Sequence, residues 1–407
     1  MKLTKLSLAA IVAVGALGSF ASATPLEEAI KGVDVSGFAR LRYTHDTLGV
    51  DGADDVTGEA IRVSGELNIV APVADGLAFG TTLTTDGYNY PDAGPSAPTG
   101  DLGARSFNFD KYYFLYTGVK DLAVIGGKYT VPAPWAESGF AGSRGNGLVA
   151  LYSGVPNWTF AGALYLQTNG FDSLFVDEYV QSLTTINVPD LGSNSNLYAL
   201  GAIGKAGPVD LQFWAAKLEN LIDTTVFAQA SFAQAGFNVR AQVNYLKISD
   251  EIIVDGIDST GTPVVVTAPY TALLADDAGL FYGIEGGYKN DKFFVTAGYT
   301  QTDEDQPIYA LDDDNDGFIK FGQQLYYLTT NVPDTATYFI KGGGTFGKFG
   351  VEGGYGIADF GDDDFSEIYL LGSYQLAPKF AVELYYSYLD ADTEDLSEIQ
   401  LELKYTF

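Results

Sequence analysis

The chain contains no cysteine, so disulfides, thiolate nucleophiles and cysteine-ligated metals have no place in it. It has one histidine, His45, and one methionine, the first residue. A lone histidine cannot build a histidine metal set, and no serine pairs with it as a hydrolytic nucleophile. Gly-rich phosphate loops are absent as well. These absences read as a protein that is not an enzyme and needs no cofactor. Positive charge is scarce: 22 Lys and Arg stand against 52 Asp and Glu, for a formal net charge of −30. Such a chain repels a phosphate backbone, which excludes nucleic acid, and it favours cations. Long apolar runs are missing too. Beyond Phe20 no stretch reaches the ~18 uninterrupted apolar residues that a spanning helix needs. If the chain enters a membrane, the remaining route is a closed barrel.

What is present begins with Lys2 and Lys5, followed by an apolar run from Leu6 to Phe20 that ends at Ala21, Ser22 and Ala23. A basic start, a short apolar core and a small-residue site describe a secretory signal peptide. Residues 1–23 are therefore expected to be the signal and 24–407 a single barrel domain. Aromatic content of 14%, with 27 Tyr and 26 Phe, suits rings that form girdles at two membrane interfaces.

Strand signals run through the rest of the chain. Ile61, Val63, Gly65, Leu67, Ile69 and Ala71 fall on one face of a strand, while Arg62, Ser64, Glu66 and Asn68 fall on the other. Phe237, Val239, Ala241, Val243 and Tyr245 alternate in the same way with Asn238, Arg240, Gln242 and Asn244. So do Ile399, Leu401, Leu403, Tyr405 and Phe407 with Gln400, Glu402, Lys404 and Thr406. Eighteen such segments lie near 33–45, 59–72, 77–87, 106–117, 121–130, 147–154, 157–168, 195–205, 208–219, 222–233, 236–249, 279–289, 292–303, 335–346, 348–359, 366–376, 379–391 and 396–407.

A soluble sandwich shows the same alternation, so the spacers decide. Every second spacer is tight, as at Asp75-Gly76, Val155-Pro156, Ala206-Gly207 and Asn290-Asp291. The others are mostly long, around 46–58, 88–105, 131–146, 169–194, 250–278 and 304–334. Short turns on one side and long loops on the other mark a transmembrane antiparallel β-barrel of about 18 strands. Both chain ends then lie on the short-turn, periplasmic side, and the last strand closes against the first. A barrel of this width leaves an aqueous channel.

The residues also resemble a known family. The run Thr24-Pro25-Leu26-Glu27-Glu28-Ala29-Ile30-Lys31-Gly32, followed by Arg40-Leu41-Arg42-Tyr43, is similar to the mature start of the Campylobacter-type major outer membrane porins. Leu115-Tyr116-Thr117 with Val124-Ile125-Gly126-Gly127-Lys128 resembles their strand pair before the third loop. Lys404-Tyr405-Thr406-Phe407 resembles their closing strand. The resemblance implies a homotrimeric porin of the bacterial outer membrane, contacting lipid and lipopolysaccharide. It also implies passage of small hydrophilic solutes, a preference for cations and an ability to bind calcium. Two other readings stay open: a substrate-specific channel, and an adhesin or structural protein acting through its loops.

A diffusion channel selects at its narrowest section, by diameter and by rings of charge. The third long loop, 131–146, is expected to fold inward, with Pro132 and Pro134 stiffening its start. Glu137 and Arg144 are its charges. Of six arginines in the chain, Arg40, Arg42, Arg62 and Arg240 lie on the polar phase of their strands. Arg40, Arg42 and Arg62 are expected to form a basic patch opposite the inward loop, and with acidic groups to set up a transverse field.

Asp312, Asp314 and Asp316 alternate ahead of Gly317 as in the first half of a calcium-binding EF-hand loop. The twelfth position, however, is Gln323 instead of glutamate. An irregular calcium loop fits that pattern better than an EF-hand does.

Overall fold

Alternating side chains dictate the result: eighteen strands close into one antiparallel barrel. The computed structural model describes residues 32–50, 52, 54–87, 107–140, 142–168, 195–249, 251–257, 263–269, 278–308, 315–326, 328–361, 363–391 and 394–407. The first eleven strands are β1 (Asp34–Val50), β2 (Val56–Ala74), β3 (Leu77–Gly87), β4 (Asn108–Val119), β5 (Leu122–Thr130), β6 (Arg144–Val155), β7 (Trp158–Thr168), β8 (Leu197–Ala206), β9 (Val209–Leu218), β10 (Ile222–Gln234) and β11 (Phe237–Ile248). A separate hairpin follows, β12 (Glu251–Ile257) with β13 (Pro263–Pro269). The barrel resumes with β14 (Ala278–Lys289), β15 (Phe293–Thr302), β16 (Thr335–Phe346), β17 (Phe349–Phe360), β18 (Asp363–Ala377), β19 (Phe380–Asp390) and β20 (Glu394–Thr406). One helical turn, α1 (Leu328–Asn331), precedes β16. All eighteen expected segments are barrel strands. The β12–β13 hairpin and α1 lie within spacers that carried no element in the sequence reading.

Closure is direct. β1 pairs with β20 from Phe38 opposite Thr406 to Val50 opposite Glu394. Gly37 and Phe407 exchange backbone hydrogen bonds at the seam, at 3.3 and 3.1 Å. Each of the eighteen barrel strands is paired on both sides, so the barrel presents no open edge to lipid. Tight turns join alternate strands, and Asp121 and Asn157 take the left-handed backbone there, at φ 59° and 65°. Asn and Asp tolerate that region better than other side chains with a Cβ.

The two phases of each strand separate as the sequence implies. Ile61, Val63, Phe237, Val243, Tyr245, Ile399 and Leu401 are exposed on the outer surface. Their alternates, among them Ser64, Gln242, Asn244 and Glu402, are buried inside. Less expected is an apolar core within the lumen. Trp135, Tyr165, Phe227, Phe281 and Phe318 belong to one buried cluster. Ile319, Phe321, Leu325, Phe339 and Tyr369 form a second. A water-filled tube would leave such side chains wet, so something must fold inward to cover them.

Candidate channel constriction

Two segments do so. The third long loop, described at 131–140 and 142–143, leaves β5 and crosses the barrel. Trp135 is 1% exposed, and its indole N–H donates to Asn244 Oδ1 on β11 at 2.9 Å. Its ring stands edge-on to Phe227 of β10, at 6.5 Å between centroids. Farther along, Phe140 meets Phe38 of β1, at 5.4 Å. Strands β1 and β11 lie far apart around the barrel, so this loop spans the lumen. The expectation of an inward third loop agrees with this placement.

The second segment is 315–326, between β15 and β16. Gln242 of β11 grips it twice, donating to Gly317 O at 2.6 Å and accepting from Ile319 N at 2.7 Å. Phe318 packs edge-on between Phe227 and Phe281, at 5.3 and 5.2 Å. Phe321 stacks on Phe339 at 5.3 Å over the glycines Gly354 and Gly356. A Cβ at Gly356 would come within 2.3 Å of the Phe321 ring, so only glycine leaves that seat open.

The two segments also bind each other. Ser138 donates from its backbone N–H, at 2.9 Å, and from its hydroxyl to Asp316 Oδ2. Asp316 N–H reaches Ala136 O at 3.2 Å, and Gly317 N–H reaches Pro134 O at 3.1 Å. The lumen is therefore divided by one joined partition built from two distant stretches of chain.

The expected site residues fall into three groups. Arg40, Arg42 and Arg62 do share the inner face of β1 and β2, with Arg42 directly opposite Arg62. Like charges so placed repel. Glu402 of β20 offsets this, accepting from Arg42 Nε and Nη2 at 3.0 and 2.8 Å and standing 3.8 Å from Arg40. The loop does not face this patch from across the lumen, as expected; it touches it. The Arg40 guanidinium lies 5.3 Å from the Phe140 ring, and Lys404 Nζ stands 4.8 Å from Phe38. Arg240 is inward and ion-paired to Glu285 at 3.0 Å.

Arg144 departs further from expectation. It is 0% exposed and therefore lines no water path. Its Nε meets Asp110 Oδ2 of β4 at 2.9 Å, while Nη1 and Nη2 donate to Ser143 O and Gly139 O at 3.2 and 2.5 Å. Arg144 ties the loop to the wall. Glu137 is half-buried, with its carboxylate folded over Gly139 and Gly142 and its carbonyl accepting from Ser143 N–H at 3.0 Å.

Asp312 and Asp314 lie outside the described residues. Asp316 is described, and its carboxylate serves the joint with Ser138. Among the described residues no group of three acidic or histidine side chains gathers as a metal set.

Sequence reasoning missed the inward course of 315–326. A signal was present: Ile308, Phe318, Ile319, Phe321 and Leu325 flank the aspartates, too apolar a set for a solvated loop.

Residues 1–402 match the sequence family described as Campylobacter major outer membrane protein. No curated protein is significantly similar to the chain. Among solved structures, Pseudomonas aeruginosa OccK9 (OpdG) resembles it at a TM-score of 0.66 and 13% identity, over 93% of this chain and 99% of that one. P. aeruginosa OpdQ gives 0.63 and 14%, over 93% and 99%. P. aeruginosa OpdK with vanillate gives 0.61 and 11%, over 92% and 98%. At such identities the likeness is one of fold.

Proposed function

Because the chain belongs to the Campylobacter major outer membrane protein family, we propose that this outer-membrane channel passes small hydrophilic solutes and ions by diffusion and prefers cations. The observation that carries the preference is a facing pair of carboxylates that lies apart from the lumen's close ion pairs. Arg42 with Glu402, Arg240 with Glu285 and Arg144 with Asp110 cancel one another at close range. Asp46 and Glu398 stand directly opposite each other farther toward the extracellular end of the same wall. Two carboxylates at a mouth raise the local cation concentration, and the net charge of −30 acts in the same sense.

Reversal potential under a salt gradient in a planar bilayer tests this. Asp46→Asn with Glu398→Gln will shift it toward zero. Arg40→Gln, Arg42→Gln and Arg62→Gln together will shift it toward the cation limit. A reversal potential that neither set moves would sink the assignment.

A second reading, a substrate-specific channel, is favoured by one feature. Phe38 lies between Arg40 and Lys404, 5.6 and 4.8 Å from its ring, with Phe140 beside it. An aromatic anion would find both a stacking partner and positive charge there. Conductance that saturates with one such solute, while others pass in proportion to concentration, separates the two readings.

Cleavage after residue 23, homotrimer formation and calcium binding at Asp312, Asp314 and Asp316 complete the proposal on the strength of the family. N-terminal sequencing, cross-linking and isothermal titration test them in turn. An intact residue 1, a monomer at all concentrations and no heat at millimolar Ca²⁺ are the respective contrary results.

A further inference from the structure

Glu367 is a carboxylate on the inner face of β18 that never meets water: it is 0% exposed. Its oxygens accept from three consecutive backbone N–H groups of the inward segment, Gln323 at 2.8 Å, Gln324 at 3.0 Å and Leu325 at 2.9 Å. The Tyr385 hydroxyl adds a fourth donor at 3.4 Å. Charge-assisted bonds of this kind are about twice as strong as neutral ones. Three amides pointing at one carboxylate form a nest for an anion, and here the barrel wall supplies that anion.

The chain on the far side of the contact is shaped to receive it. Gly322 turns through φ +79°, and a Cβ there would stand 2.0 Å from Glu367 Oε2. A side chain at 322 would both strain the backbone and strike the carboxylate. One residue earlier, Phe321 is seated against Phe339 and Tyr369. One residue after Gln323, the Gln324 side chain donates to Glu398 on β20 at 3.2 Å.

We infer that Glu367 is the positioning residue that sets the bore of the channel, by clamping the segment 315–326 against β18. Its charge is spent on those amides, so it contributes to the width of the path and not to the choice of ion. Because Asp316 and Gly317 are joined to Pro134, Ala136 and Ser138, the clamp also supports the third loop through that joint. Release at β18 loosens the segment 315–326 directly and the third loop through the Asp316–Ser138 joint.

The inference rests on the open-channel reading, and the experiment tells the two apart. Single-channel conductance and reversal potential are measured for the full chain refolded in planar bilayers, alongside heat-modifiable electrophoretic mobility as the sign of a closed barrel. A wild-type protein that passes no current would fail the channel reading. With a conducting wild type, Glu367→Gln and Glu367→Ala will raise conductance roughly two-fold and add noisy substates. Reversal potential will stay where it was. Gly322→Ala, which attacks the same contact from the loop side and leaves the carboxylate intact, will raise conductance by the same factor. Combining Glu367→Ala with Gly322→Ala will add nothing further, since one contact is lost only once. Closed barrels with wild-type conductance in both Glu367→Ala and Gly322→Ala would overturn the clamp. A changed reversal potential at constant conductance would overturn it too, making Glu367 a selectivity group instead.

Discussion

Arg144→Met unfastens the third loop from the wall of the barrel. The guanidinium has no exposed surface and holds three partners: Asp110, Ser143 O and Gly139 O. Removing it strands the Asp110 carboxylate in a site that is 7% exposed. Breaking a buried pair from one side costs about 3–5 kcal/mol, because a charge stays buried with nothing to balance it. The barrel does not need to open to relieve that cost. Loop 131–143 detaches locally, water reaches Asp110, and the loss is limited to the loop's own stability. Conductance therefore rises while electrophoretic mobility stays that of a closed barrel. The double variant Arg144→Met with Asp110→Leu removes both charges and regains most of the lost stability, since an apolar pair can replace a buried ion pair. The cycle is read by urea unfolding in lipid and by conductance. Wild-type conductance in Arg144→Met would show that the loop does not hang on this pair.

Trp135→Ala acts on the opposite end of the same loop. The indole is almost fully buried, donates to Asn244 and packs on Phe227, which in turn touches Phe318 of the second inward segment. Truncation removes a large apolar surface and leaves a cavity at the hub of the luminal core, a loss of about 3–5 kcal/mol. Trp135→Phe keeps a ring but leaves Asn244 Oδ1 short of a donor, a loss of about 1–3 kcal/mol. The expected order of unfolding midpoints is wild type, Trp135→Phe, Trp135→Ala, with conductance rising in the same order. Equal effects from the two variants would show that packing carries little and the hydrogen bond carries most.

Much of this architecture is legible before any fold is known. Arg40, Arg42, Arg62 and Arg240 lie on the polar phase of their strands, and each faces inward as that phase requires. Gln400, Glu402 and Lys404 share the polar phase of the last strand, and with closure against the first strand they stand opposite Thr44, Arg42 and Arg40. A period of two is a local property, because neighbouring side chains of a strand point to opposite faces whatever the rest of the chain does. Arg144 was harder to place. Its loop position suggests the channel, but Asp110 lies 34 residues away and no local pattern announces the pair. Glu367 carried no signal either: on the polar phase of β18 it looks like any wet luminal acid.

The sequence by itself determined the membrane class, the strand number and the face each strand residue presents. Alternation, turn length and the absence of an apolar run leave a closed barrel as the only way to satisfy the backbone in lipid. Only the tertiary structure decided what fills the lumen. That depends on contacts such as Trp135 with Asn244 and Ser138 with Asp316, which are 109 and 178 residues apart. Such pairs form only where a closed barrel brings inner faces within reach of two loops. Shape and hydrogen-bond fit among distant side chains then select one path inward, and no local periodicity encodes that fit.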